Sequence, residues 1–170
     1  ILVGVQTVED DNPQLTTRLE NKSDSHHPVK IILDSSLRIS PNANVIIDKT
    51  SPTWLATTKS DSNFGLQNIK ILRCKETESM VDLDDLLKQL AGENITSLLV
   101  EGGPRVVTSF LKAGLVDRVI QFVSPSYLGG EGRGAVGSLG IERLSEKISL
   151  KNITVKTLGS DLMIEGDVDV

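Results

Sequence analysis

The sequence predicts an α/β fold with a mixed, mostly parallel sheet flanked by helices and completed by antiparallel strands near the C-terminus. Three observations predict it. Short apolar runs alternate with helical patterns through most of the chain, as they do where strands and helices take turns. The run Leu98-Leu99-Val100 leads through Glu101-Gly102-Gly103-Pro104 straight into a helical pattern, with proline near the first helical position, where its missing N–H costs nothing. Late in the chain two apolar-rich runs flank Gly159-Ser160-Asp161, a hairpin signal.

In order, residues 1–5 read as a strand and residues 6–15, with Pro13, as a polar turn region. Residues 18–27 are polar and read as a loop. Residues 29–33 form a second strand, closed by Asp34-Ser35-Ser36; residues 37–44 are a connection, and 45–48 begin a short helix or strand. Strands follow at 53–57 and 68–73. Residues 82–90 read as a helix, acidic in the first turn and apolar at i, i+3, i+4 and i+7, with Gly92 as its stop. A strand at 97–100 precedes a helix over 105–113 that ends at Gly114, and residues 118–123 form the next strand. Residues 127–140 are Gly-rich and read as flexible, and the loop Gly129-Gly130-Glu131-Gly132-Arg133-Gly134 within them is a lid over a ligand or a hairpin tip, the tip being the favoured reading. Residues 148–158 and 162–167 are the closing strands.

Composition narrows the function classes. A chain of 170 residues suits one domain, and neither a repeat nor a boundary is evident, so residues 1–170 are read as a single domain. With aromatics at 3%, the core must be built from Ile, Leu and Val. A formal net charge of -5 without a basic run argues against nucleic acid as partner. The single Cys74 excludes an intramolecular disulfide and a multi-cysteine zinc site and fits a reducing cytoplasm. No apolar run approaches the ~20 residues of a membrane span. The chain opens Ile1-Leu2-Val3-Gly4-Val5, inside a buried strand, so an N-terminal segment is expected to be missing.

Three segments carry candidate chemistry. Glu101-Gly102-Gly103-Pro104 lies at a strand's C-terminal end, where open α/β sheets bind ligands. Its glycines admit a ligand close to the backbone, the following helix N-terminus favours an anion, and Glu101 can accept hydrogen bonds from a sugar or a ring amine. The bland alternative is a tight strand-to-helix turn; the spacing is not that of the standard dinucleotide fingerprint. Residues 7–18 supply Thr7, Asp11 and Arg18, suited to a ribose or phosphate, a hydroxyl, and a terminal phosphate gripped in a bidentate fork, or else form a plain solvated turn. Asp34-Ser35-Ser36 suits phosphate or ribose contact, or equally an ST-turn or cap. His26 and His27 read as solvated loop residues with no third metal ligand in view. Cys74 reads as inert, and Trp54 as core or dimer interface. No Ser-His-Asp set, P-loop or HExxH motif is present, and no side chain is singled out as catalytic.

Together these pieces resemble a known family. Ile1 to Val8 followed by Asp11-Asn12-Pro13-Gln14-Leu15-Thr16-Thr17-Arg18 is similar to the "lvGxxTVxxDdPxLTxR" stretch of the riboflavin-pathway reductases. Val29 to Ile39 resembles their "vvlDsxLRi" segment. Leu99-Val100-Glu101-Gly102-Gly103-Pro104, with Ser109-Phe110-Leu111 and Leu115-Val116-Asp117, resembles their "vEGGpxlxxsFlxxgLvDe" segment, and Ser124-Pro125 with Leu128-Gly129-Gly130 their closing "Pxx-lGG" element. The resemblance implies a dihydrofolate-reductase-like fold, a cytoplasmic homodimer, and NADPH-dependent reduction of the ribosyl group of a phosphorylated pyrimidine, opening it to a ribityl chain. It assigns Thr7, Asp11, Ser35, Gly102, Gly103, Pro104, Arg105 and Val106 to the cofactor, with the phosphates held between Gly103 and Ser109. Leu15, Arg18 and Glu101 go to the substrate, Arg18 near its phosphate.

There are departures. The family's opening "AxSLDGkia" strand and loop has no match here, and Asn12 stands where a second Asp is common; Asn also suits the turn before Pro13. Three other readings remain open. A dihydrofolate reductase shares the fold but lacks the "EGGP" and "DNPQLTTR" elements. The chain also fits the reductase half of a bifunctional deaminase–reductase acting on the deaminated pyrimidine. A nucleotide-binding regulatory module without chemistry is the reading from another class.

Overall fold

The computed structural model describes residues 1–18, 26–60 and 69–169. Part of the predicted 18–27 loop and the first residue of the predicted 68–73 strand lie outside them. The chain divides into two compact units, Ile1–Val106 and Val107–Val170. The division falls inside a helix, where no linker composition could mark it.

The first unit is built on a parallel sheet of four strands in the order β1 (Leu2–Gly4), β2 (Lys30–Leu33), β3 (Thr53–Thr57) and β4 (Lys70–Arg73). Leu2 pairs with Ile31, Ile31 with Trp54, and Trp54 with Lys70. Successive residues Leu2 and Val3, Ile31 and Ile32, and Leu55 and Ala56 are all buried. Alternate residues point to opposite faces, so both faces of the sheet are covered, as parallel sheets require. That is why the strands were legible as unbroken apolar runs.

The stretch after β1 is a helix, α1 (Val5–Asp11), where the sequence suggested a turn. Val5 and Val8 bury one face while Glu9, Asp10 and Asp11 face solvent; the acidic run that read as a turn is the wet side of the helix. The predicted 1–5 strand is correspondingly shortened. Asn12 ends α1 in the left-handed region (φ 43), donating its N–H to Val8 O, a conformation that asparagine tolerates better than most residues. Its Oδ1 accepts the Asn44 N–H and its carbonyl accepts from Asn44 Nδ2, both at 2.8 Å, so position 12 joins α1 to the start of α2 (Asn44–Ile47). That helix settles the helix-or-strand alternative at 45–48.

After β4 come a small hairpin of β5 (Glu76–Thr77) and β6 (Met80–Val81), then α3 (Leu83–Gly92). The hairpin escaped prediction because its left-handed turn residues are Glu78 and Ser79 (φ 51 and 61), without the Asn or Gly that normally marks such turns. Asp82 caps α3 by accepting the Asp85 N–H at 2.8 Å, satisfying one of the orphan donors of the first turn. That bond, followed by one from the Thr77 hydroxyl, holds the Asp82 carboxyl below the ordinary range. The helix ends at Gly92, as expected, although the left-handed position after it is taken by Asn94 (φ 62). The predicted 97–100 strand is reduced to one parallel bridge, Leu2 with Val100.

α4 (Pro104–Lys112) runs from the first unit into the second. Gly114 (φ 66) terminates it: its N–H reaches Leu111 O and the Leu115 N–H reaches Phe110 O, the paired bonds of a Schellman cap. The second unit holds an antiparallel sheet, β7 (Arg118–Val123), β9 (Asp161–Asp169) and β8 (Ser149–Leu158), in the order β7-β9-β8. Gly159 (φ 62) supplies the left-handed residue of the turn between β8 and β9. Because β9 lies between β7 and β8, the Gly-rich 127–140 stretch joins non-adjacent strands and is not a hairpin tip. It is irregular, and the Gly137 N–H donates to buried Thr108 Oγ1 on α4 at 2.7 Å.

Candidate functional site

All four parallel strands end at the same edge of the sheet. The chain lays down β1, β2, β3 and β4 outward in one direction, then returns to the other side of β1. There Leu2 donates its N–H to Leu99 O at 2.8 Å, and Glu101 donates its N–H to Leu2 O at 2.9 Å. β1 is therefore flanked by β2 on one side and by the Leu99–Glu101 backbone on the other. This is a topological switch point, where connections diverge and leave a crevice at the carboxyl ends of the strands.

Two predicted cofactor residues meet at this point. The Gly103 N–H donates to Thr7 Oγ1 at 3.3 Å, joining α1 to the turn that opens α4. Val106 closes that turn through an N–H bond to Gly103 O at 3.0 Å. The two glycines of the turn have different reasons. A Cβ on Gly102 would sit 2.8 Å from Val106 Cβ and 3.0 Å from its Cγ1, so packing alone forbids a side chain. A Cβ on Gly103 would meet only Thr7 Oγ1, at 3.7 Å, an ordinary contact. Internal packing does not require glycine there; a bare backbone beside a helix N-terminus is what a phosphate needs. Gly4, not singled out from sequence, is crowded by the same side chain: its Cβ would lie 2.8 Å from Val106 Cγ2.

Glu101 is exposed at this edge. Asp11 is exposed at the last position of α1. Leu15 is half-buried against the cluster of Val3, Val5, Val8, Ile32 and Leu55 and adopts φ 54. A left-handed leucine costs roughly 1–2 kcal/mol and persists only where its surroundings over-determine it. Leu37, which sequence reasoning passed over, does the same at φ 58 and packs on the same cluster. Arg18 is exposed. Pro104 and Arg105 open α4, Arg105 exposed.

The Asp34-Ser35-Ser36 turn at the end of β2 is organised by Asp34. This residue is fully buried, and its Oδ2 accepts the Ile39 N–H at 2.8 Å, while its Oδ1 has no partner among the described residues. Ser35 Oγ accepts the Val81 N–H at 3.1 Å, and Ser35 O accepts from the Thr58 hydroxyl at 3.1 Å. A hydroxyl that accepts one bond still has its own proton to donate, so Ser35 retains capacity toward a ligand. Arg38 is held to α1 by Glu9 Oε2 at 3.2 Å and Gln6 Oε1 at 3.1 Å.

The weaker candidates are also accounted for. Cys74 is buried, and burial followed by the charges of Asp85 and Asp82 pushes its thiol up to about 11, so it is a poor nucleophile. Trp54 is half-buried with Lys70 Nζ 4.5 Å from its ring centroid. No group of three or more His, Cys, Asp or Glu side chains able to hold a metal occurs among the described residues. No helix among them is long and apolar enough to cross a membrane.

Residues 1–164 match the model of the RibD C-terminal domain. The chain belongs to that family. A RibD C-terminal domain accounts for the order of the motifs, the switch point beside β1 and the turn at Gly102-Gly103 in one scheme. The riboflavin biosynthesis protein RibD of Aquifex aeolicus is 38% identical over 170 residues, covering 96% of this chain and 45% of that protein. The 2,5-diamino-6-ribosylamino-4(3H)-pyrimidinone 5′-phosphate reductase of Methanothermobacter thermautotrophicus is 34% identical, covering 97% of this chain and 77% of that protein. Among solved structures, RibD of Acinetobacter baumannii superimposes with a TM-score of 0.84 at 22% identity, over 99% of this chain and 46% of that one. The riboflavin biosynthesis reductase Rib7 of Saccharomyces cerevisiae gives 0.79 at 23%, over 99% and 74%. Both share the α/β fold. The chain thus spans a little under half the length of the RibD proteins it matches.

Proposed function

We propose that the chain is the reductase domain, residues 1–170, of a riboflavin-pathway enzyme. It reduces the ribosyl group of 2,5-diamino-6-ribosylamino-4(3H)-pyrimidinone 5′-phosphate to the ribitylamino product with NADPH. The observation that carries the reading is the Gly103 N–H bond to Thr7 Oγ1 at the switch point, in a chain whose relatives include a reductase named for that substrate.

The residues fit the cofactor. Thr7, Asp11 and Ser35 offer hydroxyl and carboxylate groups along the sheet edge, and Gly102, Gly103, Pro104, Arg105 and Val106 form the turn whose open backbone and helix dipole favour its phosphates. When bound, NADPH supplies the hydride that adds to C1 of the open-chain imine while its nitrogen takes a proton. The chain's part is alignment and exclusion of water. Arg18 holds the 5′-phosphate through its bidentate fork, Leu15 packs against the substrate, and Glu101 accepts hydrogen bonds from it. The protein is read as a cytoplasmic homodimer.

The second reading is the reductase half of a bifunctional deaminase–reductase that takes the deaminated 5-amino-6-ribosylamino-uracil phosphate. It is favoured by RibD relatives about twice the length of this chain. Arg18→Ala tests the assignment in either case: substrate binding is lost while NADPH affinity stays within about twofold. Equal loss of both removes the phosphate role from Arg18.

A further inference from the structure

Thr17 stands between the two residues assigned to the substrate, Leu15 and Arg18, and is tied to the segment that leads into β2. Its N–H donates to His27 Nδ1 at 3.2 Å, and its hydroxyl donates to His26 O at 2.9 Å. The second bond uses a backbone carbonyl that any residue at position 26 would offer. The first needs a ring nitrogen at position 27. Two adjacent histidines in a polar loop ordinarily read as solvated, but here only His26 is exposed while His27 is half-buried.

We propose that His27 is a positioning residue for substrate: by accepting the Thr17 N–H it fixes the backbone that presents Arg18 to the substrate phosphate. The inference rests on the reading of Arg18 as a phosphate ligand. Upstream of Thr17 the chain is pinned by Leu15, which is left-handed and packed on the core cluster. Among the described residues, the two bonds of Thr17 hold the backbone as it reaches Arg18. A ligand gripped by a bidentate fork is sensitive to the placement of that fork, because a shift of about 1 Å spoils the geometry that both of its bonds need.

The test compares His27→Ala with His27→Asn in the full-length protein. Asparagine carries its amide oxygen two bonds from Cβ, where histidine carries Nδ1, and so keeps the acceptor. Amide exchange of Thr17, followed by NMR, is expected to be slow in the wild type and in H27N and about tenfold faster in H27A. With 2,5-diamino-6-ribosylamino-4(3H)-pyrimidinone 5′-phosphate as substrate, KM is expected to rise about fivefold to tenfold in H27A and to return to within about twofold in H27N. The dissociation constant for NADPH should not move. Three results overturn the proposal: unchanged Thr17 exchange in H27A, unchanged KM in H27A where Arg18→Ala raises it, or equal impairment of H27N and H27A. An unchanged KM in Arg18→Ala is a different failure, since it removes the phosphate reading itself and the proposal with it.

Discussion

Val106 packs beside the edge at which the parallel strands end, and a Cβ on either Gly4 or Gly102 would crowd it. Gly4 has φ -80 and ψ 153, a conformation open to any residue, so Gly4→Ala would gain roughly 0.4–1 kcal/mol from reduced freedom of the unfolded chain. Against that, its Cβ would stand 2.8 Å from Val106 Cγ2, about 0.7 Å inside the ~3.5 Å at which carbon atoms meet comfortably. Forced overpacking of this kind costs about 1–3 kcal/mol, so the clash wins and G4A is destabilised. Gly102→Ala meets a different atom, Val106 Cβ, also at 2.8 Å. The distinction is testable because Val106→Ala removes Cγ2 but leaves Cβ in place. Equilibrium urea unfolding of the four variants G4A, G102A, G4A/V106A and G102A/V106A, with V106A as reference, gives the two coupling energies. We expect V106A to relieve G4A by about 1–2 kcal/mol and G102A by less than about half of that. Equal relief at both positions, or a G4A cost below about 0.5 kcal/mol, would refute this packing account.

Three further outcomes follow from the same structure. Lys30 is fully buried, and its Nζ lies 2.7 Å from Asp48 Oδ2 and donates to Asp48 O at 3.1 Å, so Asp48→Asn removes its opposite charge while leaving the carbonyl acceptor and should cost about 3–5 kcal/mol by urea unfolding. The Lys30 bond, more than any other influence, holds the Asp48 carboxyl down at about 2. The folded value is depressed, so the contribution is complete above the unfolded value and is lost as pH falls through about 2; the stability gap between wild type and D48N should narrow over that window and stay flat above it. Cys74, with its thiol raised to about 11, should react with a thiol reagent at neutral pH more than about tenfold more slowly in the native protein than in urea; equal rates would contradict the burial. Thr7→Val keeps the shape but removes the acceptor for the Gly103 N–H, and should weaken NADPH binding by about fivefold to tenfold in a fluorescence titration while leaving substrate affinity in place.

What was legible in the sequence followed from local physics. Strands β1 to β4 announced themselves because both faces are covered, so consecutive residues such as Ile31 and Ile32 are apolar. α3 was legible from its acidic first turn and apolar spacing, and α4 from Pro104 and Gly114. α1 was missed because its solvent face, Glu9 to Asp11, outweighs its two buried valines within a seven-residue helix. Nothing local signals a left-handed Leu15 or Leu37; both conformations are imposed by the core cluster they pack on. The Glu101-Gly102-Gly103 turn was legible as a strand end leading into a helix, whereas the reason for Gly4 lies in Val106, which only the fold brings to it. Likewise the partner of Lys30 stands 18 residues away at Asp48, and no pattern within a strand could name it.

On the proposed function, this edge of the sheet binds NADPH and a phosphorylated ribosylaminopyrimidine and passes hydride between them. The most direct measurement is the fall in nicotinamide absorbance when the full-length protein and NADPH meet the diaminopyrimidinone phosphate and the deaminated aminouracil phosphate in separate reactions. Oxidation is expected with the diaminopyrimidinone substrate and is abolished in Arg18→Ala. Oxidation with only the deaminated substrate would move the chain to the bifunctional pathway. Tight NADPH binding with no oxidation of either would contradict the claim and leave a nucleotide-binding module without chemistry.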